Sequence, residues 1–202
     1  MDSSRVGARK SQLQRITRPT PDEIAAASGR LVPDLIRPDL KALFCGINPS
    51  VYTAAVGHHF ARPGNRFWRA LFDAGITDRL LAPHEEHILL SLGYGITSLV
   101  QRPTVAAAEL SKQELREGAV RLEELVIECR PAWIAFVGIG AYRIAYGRPG
   151  AAFGLQDCEI SGSKVWVLPN PSGLNAHFTP KDFADRFREL RLAIEDQGRP
   201  SG

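Results

Sequence analysis

Asn48 and Asn170 each stand in an Asn-Pro-Ser turn that directly follows a short apolar run. The run Leu43 to Cys45 breaks at Gly46 before the first turn, and the run Val165 to Leu168 precedes the second. In open α/β proteins, ligands bind beyond the carboxyl ends of the strands, where such turns lie. The two turns are therefore predicted to face one cleft, with Asn48 as the first polar side chain past its strand.

The amide side chain of Asn48 offers both a hydrogen-bond acceptor and a hydrogen-bond donor. Because an amide takes up no proton near neutral pH, Asn48 would position a water molecule and would not act as a strong general base. The alternative is a turn residue whose side chain bonds its own backbone, as asparagine often does. The turn alone leaves both interpretations open.

Two histidines, His58 and His59, are adjacent in the loop after the first turn. They make a poor metal site without a second cluster, because a zinc centre uses three or four ligands at recognisable spacing. The three cysteines, Cys45, Cys129 and Cys158, are far apart and form no CxxC pair. We therefore expect a reduced protein with no metal, no cofactor and no disulfide framework.

Residues 134–140 consist of an apolar run that ends in Gly138-Ile139-Gly140, and this end resembles the start of a dinucleotide-binding fingerprint. Arg143 occupies the position of the third glycine, so the fingerprint is incomplete. A dinucleotide-binding oxidoreductase is thus the weaker interpretation. It would show flavin or nicotinamide absorbance in the purified protein.

Apolar runs and helix-capping signals alternate along the chain. Strands are predicted at 41–45, 96–100, 132–137, 158–160 and 164–168, the last two joined as a hairpin by Ser161-Gly162-Ser163. Helices are predicted at 21–28, from Asn65 to Gly75, from Pro83 to Gly93, from Ser111 to Cys129, at 141–146 and from Thr179 to Asp196. This alternation predicts an α/β fold, a three-layer sandwich with a central, mostly parallel sheet flanked by helices.

The charge is unevenly placed along the chain. The net charge is +3, but residues 1–18 hold five basic residues against Asp2, so the remainder sums to −1. We predict a basic disordered arm at 1–18, a single domain at 19–197 and a tail at 198–202. The arm is either a solvated tail or a segment that contacts nucleic-acid phosphates.

No apolar run approaches the roughly 20 residues that a membrane span needs. The first residues also lack the apolar core of a signal peptide. We therefore expect no membrane partner and a cytoplasmic location.

Three blocks, GINPS at 46–50, GHHFARPGNRFW at 57–68 and NPSGL at 170–174, occur in this order. They resemble the motifs of the mismatch-specific uracil-DNA glycosylases and the related thymine-DNA glycosylases, and weaker similarity covers roughly residues 40–195. The resemblance implies the uracil-DNA-glycosylase fold. It also implies a monomeric base-excision-repair enzyme, nucleoid-associated when bound to double-stranded DNA that carries a mismatched or damaged pyrimidine. The implied reaction is hydrolysis of the N-glycosidic bond of uracil, chiefly in G·U mismatches, after base flipping and without a lyase step.

The same resemblance assigns roles to individual residues. Asn48 would position the attacking water, and the base pocket would consist of Gly46, Ile47, His59 and Phe60, with Phe60 stacking on the base. Leu174 would wedge into the base stack, supported by Ser172, Gly173 and Asn175, whose backbone groups would read the orphaned base. Separately from the resemblance, the cluster of Arg62, Arg66 and Arg69 beside the expected pocket indicates phosphate contacts from Arg62 and Arg66, with Ser50 as a further candidate. Arg66 is assigned mainly to structure.

Several positions depart from the family pattern. Ser50 replaces a usual glycine, Thr53 stands where the thymine branch has a small alanine, and Ala176 and His177 replace a basic residue. Thr53 would narrow the pocket around a base methyl group. These departures leave a second interpretation open, a non-catalytic module that binds mismatches or lesions on the same fold.

Overall fold

The structure is a computed structural model, and it describes residues 18–173, 175 and 177–197. Most of the predicted basic arm, the 198–202 tail, Leu174 and Ala176 lie outside the described residues. A five-stranded sheet with the strand order β2-β1-β3-β5-β4 forms the centre of the molecule. The strands are β1 (Ala42–Gly46), β2 (Tyr94–Ser98), β3 (Trp133–Val137), β4 (Gly154–Ile160) and β5 (Ser163–Leu168).

Strand pairing in the sheet is parallel except at one edge. β1 pairs in parallel with both β2 and β3, β3 pairs in parallel with β5, and β4 pairs antiparallel with β5. The carboxyl ends of four strands therefore share one edge of the sheet. From β1 the chain passes to β2 on one side, and from β2 it crosses to β3 on the other side of β1. Open α/β sheets bind ligands at the point where the strand order reverses in this way.

Seven α-helices lie in the described part of the chain. They are α1 (Pro21–Ala26), α2 (Val51–Val56), α3 (Phe67–Asp73), α4 (Ile88–Leu92), α5 (Lys112–Cys129), α6 (Ile139–Ala145) and α7 (Pro180–Gln197). Short 3-10 helices occupy Pro83–Glu85 and Ala107–Glu109. Among the described residues, no helix combines the length and the apolar character that crossing a bilayer requires.

Alternate side chains of β1 enter two separate cores. Phe44 packs with α3 and α7, where Phe67 and Phe187 are fully buried. Its neighbour Leu43 packs with α5 and α6, whose buried residues include Leu122 and Tyr142. Because successive strand residues point to opposite faces, this alternation places helices on both sides of the sheet. The predicted three-layer α/β sandwich is confirmed.

The capping signals in the sequence identified three helix starts correctly. Thr20, Ser111 and Thr179 each accept a hydrogen bond from the backbone N–H three residues later, and an acidic side chain at that later position bonds back. The predicted β4–β5 hairpin is also present, and Ser161 and Gly162 both have positive φ at its turn. Local sequence chemistry therefore fixed most element boundaries.

Other boundaries were wrong. The segment after Asn48 was predicted to be a loop, but Ser50 caps α2, which ends at Gly57 with φ of 78°. The strand predicted at 96–100 begins two residues earlier, at Tyr94, and the helix predicted from Pro83 is divided into a 3-10 turn and α4.

Candidate active site

A cavity of about 330 Å³ opens at the carboxyl edge of the sheet. It collects residues from the ends of β1, β2, β3 and β5 and from the segments between them. The described residues that line it are Gly46, Ile47, Asn48, Pro49, Ser50, Thr53, His59, Phe60, Arg62, Asn65, Ser98, Thr104, Val105, Ala106, Ala107, Val137, Asn170, Ser172 and Asn175. The two Asn-Pro-Ser turns therefore face one cleft, as the sequence predicted.

The amide of Asn48 has a fixed orientation in this cavity. Its Nδ2 donates to the Arg102 carbonyl oxygen at 2.9 Å and to Thr104 Oγ1 at 2.8 Å. Because the Arg102 carbonyl can only accept, the NH₂ group must face it, and the Asn48 amide cannot be flipped. Both amide hydrogens are thus used, and Oδ1 accepts no hydrogen bond from the described residues. Oδ1 is the atom left for a ligand or water.

Thr104 was not identified from the sequence, although it is 3% exposed and lies beside Asn48. Its backbone N–H donates to the Pro49 carbonyl at 3.1 Å, and its carbonyl accepts from Val51 N at 3.0 Å. These bonds join residues 104 and 49–51 as a short parallel bridge. This contact could not be predicted from a local sequence pattern, because it joins segments that are more than 50 residues apart.

Gly46 and Phe60 are in close contact at the floor of the cavity. A Cβ added to Gly46 would lie 3.2 Å from Cζ of Phe60. One face of the Phe60 ring stacks on Phe67 with centroids 4.0 Å apart, and the half-buried ring also forms part of the cavity wall. The backbone of Phe60 has a φ of 53°, which is uncommon for a residue with a large side chain. Ile47 lies close to Gly138, where an added Cβ would be 2.9 Å from Ile47 Cδ1.

His59 is buried and held through its backbone and its side chain. Its N–H donates to Glu86 Oε2 at 2.8 Å, and its carbonyl accepts from Trp68 Nε1 at 3.1 Å. The ring nitrogen Nε2 lies 2.9 Å from the Pro33 carbonyl, which can only accept, so Nε2 carries the proton. Burial lowers the pKa of His59, against an opposing effect of Glu86, and the neutral ring therefore keeps Nδ1 as an acceptor.

His58 belongs to the anchoring of this loop and does not line the cavity. Its Nδ1 lies 2.8 Å from Glu86 Oε1, and its side chain is 32% exposed. Glu86 therefore contacts both histidines through its two carboxylate oxygens. The described residues contain no group of three or more His, Cys, Asp or Glu side chains that could hold a metal ion.

Arg66, assigned from the sequence mainly to structure and also as a possible phosphate contact, is bonded to the loop that follows the second Asn-Pro-Ser turn. Its guanidinium donates to the carbonyl oxygens of Ser172 at 2.8 Å, Asn175 at 2.6 Å and Phe178 at 2.8 Å. It also lies 4.3 Å from the centre of the Phe183 ring. With its Nη groups bonded to these backbone carbonyls, Arg66 fastens Ser172, Asn175 and Phe178 to the start of α3, and its contact with phosphate stays a prediction.

The second Asn-Pro-Ser turn is closed by its own side chains. Asn170 Oδ1 accepts from Ser172 N at 3.0 Å, and Asn175 Nδ2 donates to the Asn170 carbonyl at 2.9 Å. Asn175 N donates to the Ser172 carbonyl at 2.9 Å, while the Asn175 carbonyl accepts from Arg66. The backbone N–H and carbonyl of Asn175 thus already take part in bonds that close the loop, and their reading of an orphaned base stays a prediction. Gly173 is exposed, and a Cβ there would lie 2.9 Å from the Gly64 carbonyl oxygen.

Two further predicted phosphate contacts differ from one another. Ser50 Oγ accepts from Thr53 N at 3.1 Å and lies 3.0 Å from Thr53 Oγ1, so its side chain caps α2. Arg62 is exposed at the cavity mouth, and its guanidinium bonds to none of the described residues. Among the contacts of the described residues, none therefore neutralises the Arg62 guanidinium.

The residues that line the cavity include no Asp, Glu or Lys within the described chain. A neutral histidine and the Asn48 amide are the nearest candidates for proton or water handling. Arg62 supplies positive charge at the mouth. The site can therefore hold a neutral planar ligand and orient a water molecule, but it contains no carboxylate to act as a general base.

Two comparisons with known proteins bear on the family and the fold of this chain. A model of the uracil DNA glycosylase superfamily matches residues 33–191. The chain is also similar in fold to a candidate uracil DNA glycosylase from Methanosarcina acetivorans, solved by solution NMR, with a TM-score of 0.54 and 21% sequence identity. That match covers 80% of this chain and 98% of the other.

Proposed function

Because the chain belongs to the uracil DNA glycosylase superfamily, we propose that it is a monofunctional DNA glycosylase that removes uracil. Its preferred substrate is uracil opposite guanine in double-stranded DNA, and it leaves an abasic site. The observation that carries this proposal is the fixed amide of Asn48. Its Nδ2 is bonded to Arg102 and Thr104, and its Oδ1 remains for a water in a cavity whose described lining residues include no carboxylate.

Hydrolysis of this bond proceeds through an oxocarbenium-like sugar with a pyrimidine anion as the leaving group. The water that attacks C1′ donates one hydrogen to Asn48 Oδ1, which directs an oxygen lone pair toward the sugar. Asn48 cannot accept the proton itself, so the departure of the base leads and the attack of water follows. The proton that the added water loses passes to the departed pyrimidine anion or to solvent. The reaction is therefore slow, and its rate depends on how good a leaving group the base is.

The cavity supports a flipped base as the bound group. A volume of about 330 Å³ is at the small end of ligand pockets and fits one pyrimidine better than a larger ligand. Phe60 provides an aromatic surface for the base, and its backbone N–H, which bonds to none of the described residues, can donate to a base oxygen as negative charge develops. Because Gly46 has no side chain, the Phe60 ring can lie directly against it. A Cβ at residue 46 would lie 3.2 Å from Phe60 Cζ and would push the ring.

DNA is held around the cavity by two features. Arg62 at the mouth contacts a phosphate, and the 170–175 loop enters the stack with Leu174 as the wedge. Arg66 supports the second feature by fastening that loop to α3. The enzyme acts as a monomer on this substrate.

A labelled duplex with one G·U pair tests the proposal. The protein is incubated with this duplex and, in parallel, with G·T, A·U and single-stranded uracil substrates, and abasic sites are then cleaved with hot alkali. We expect scission at G·U above all others. Binding to G·U without scission of any uracil would instead identify a non-catalytic lesion-binding module.

A further inference from the structure

Residues 105–108, Val-Ala-Ala-Ala, form an exposed apolar segment at the mouth of the cavity, which we name the apolar rim. Val105 is 65% exposed, and the three alanines are exposed as well. Val105, Ala106 and Ala107 belong to the cavity lining. Four consecutive exposed apolar residues are unfavourable in a surface loop unless they contact a partner.

The apolar rim is rigidly held. Thr104 before it and Leu110 after it are buried, at 3% and 9% exposure. Within it, the Ala106 N–H donates to Glu109 Oε1 at 2.8 Å. Arg102 at its base is paired with Glu114 at 2.7 Å. The exposed apolar side chains are therefore presented on a fixed support and do not fold back onto the protein.

The apolar rim lies on one of two walls of the cavity. Thr104 ties it to residues 49–51, next to Asn48. The other wall includes Arg62 and Asn65 from one segment and Ser172 and Asn175 from another. The two segments are joined by the bond from Arg66 N to the Pro171 carbonyl at 2.9 Å. A DNA strand whose base enters the cavity must cross its mouth. Residues on the walls then face the sugars beside the flipped nucleotide.

We infer that the apolar rim packs on the deoxyribose of the nucleotide next to the flipped one, in the same strand. This inference rests on the proposed function and adds a contact to it. The side chains of Val105 and the alanines carry no charge and no donor, so a phosphate gains nothing from them. The CH groups of a deoxyribose are apolar, and the small alanines permit a close approach. The rim therefore strengthens binding without depending on ionic strength.

The test compares Val105→Ser with Val120→Ser, the same substitution at a 60% exposed valine of α5 outside the cavity. Affinity is measured for a duplex that carries uncleavable 2′-fluoro-deoxyuridine opposite guanine. We expect Val105→Ser to raise the Kd roughly tenfold, since most of a valine side chain loses its burial. Val120→Ser should change the Kd less than twofold, and Val105→Ile should retain wild-type affinity.

Salt separates an apolar contact from an electrostatic one. The Kd ratio of Val105→Ser to wild type should stay constant between low and high salt, whereas the ratio for Arg62→Ala should shrink as salt screens the phosphate. Unfolding curves of the variants confirm that each is folded. If Val105→Ser and Val120→Ser have equal Kd values and the wild-type protein cleaves G·U, the contact between the apolar rim and the deoxyribose is contradicted. The proposed function would then still hold. A wild-type protein that neither binds nor cleaves the duplex would overturn both.

Discussion

Asn48 and Thr104 are joined by a hydrogen bond of 2.8 Å from Nδ2 to Oγ1, across a separation of 56 residues. The hydroxyl of Thr104 and the carbonyl of Arg102 together accept both hydrogens of the amide. The orientation of Asn48 is therefore set by the segment that follows β2 and not by its own turn. A residue that must place a water accurately gains from such fixation, because misplacement by about 1 Å can slow a reaction roughly a hundredfold.

Replacement of Thr104 by valine should loosen this amide. Thr104→Val keeps the side-chain shape but removes one acceptor, so we expect cleavage of G·U to slow by about 10- to 100-fold with nearly unchanged duplex affinity. The free energy of unfolding should fall by about 1 kcal/mol, the usual contribution of a hydrogen bond. Single-turnover rates and denaturant unfolding give both quantities.

Thr77→Val is the matched control for that variant. Thr77 is also buried, but its Oγ1 has no hydrogen-bond partner among the described residues. This substitution should leave the rate unchanged and keep or slightly raise stability. If both variants cleave at the wild-type rate, Thr104 does not hold Asn48 for catalysis.

Arg66→Lys tests how the 172–178 segment is held. A lysine has one ammonium group and cannot bond the carbonyls of Ser172, Asn175 and Phe178 together, so the free energy of unfolding should fall by about 2–3 kcal/mol. We expect weaker binding of duplex DNA as well, because the wedge loop loses its support. Chemical denaturation and duplex Kd values are the measurements.

The control for Arg66 is Arg69→Lys. Arg69 is exposed and pairs with Asp73 one helical turn away, so Arg69→Lys should leave the free energy of unfolding close to that of wild type. Equal stability and equal DNA affinity for the two variants would contradict the role given to Arg66.

His59 should make stability depend on pH. Burial lowers its pKa in the folded protein, so below the ordinary value of about 6.5 the unfolded chain binds more protons than the folded one. The stabilisation is complete above that pH and is lost as the pH falls toward the folded pKa, by at most about 1.4 kcal/mol per pH unit.

His59→Asn removes this titration while a side-chain N–H remains for the Pro33 carbonyl. We expect the free energy of unfolding of this variant to vary less than that of wild type between pH 7.5 and 5.5. His87→Asn, at an exposed position outside the cavity, serves as the control and should follow wild type. A wild-type curve that is flat over this range would count against a neutral buried His59.

The sequence predicted the sheet, the layers and the position of Asn48, because these depend on apolar runs and turns that are local in the chain. The helix α2 was missed since Val51-Tyr52-Thr53 favours strand over helix, although Ser50 and Gly57 are usable capping signals. Ser50 was therefore considered only as a phosphate contact. In the structure its side chain caps α2.

Long-range contacts could not be predicted from local patterns. Thr104 is recognisable only once residues 49–51 and 104 are seen side by side, and Arg66 shows its role only through carbonyls more than 100 residues away. The wedge assigned to Leu174 lies outside the described residues and stays a prediction. Arg62, by contrast, is exposed at the cavity mouth, and the phosphate contact expected from the arginine cluster stays a prediction.

The central claim is that the carbonyl of Asn48 positions the water that attacks the sugar. The most direct test is the single-turnover rate of Asn48→Ala on a G·U duplex, together with its affinity for the uncleavable 2′-fluoro duplex. We predict a rate at least about 100-fold below wild type with an affinity within about threefold. A variant that cleaves within tenfold of the wild-type rate would contradict the claim and require another group to place the water.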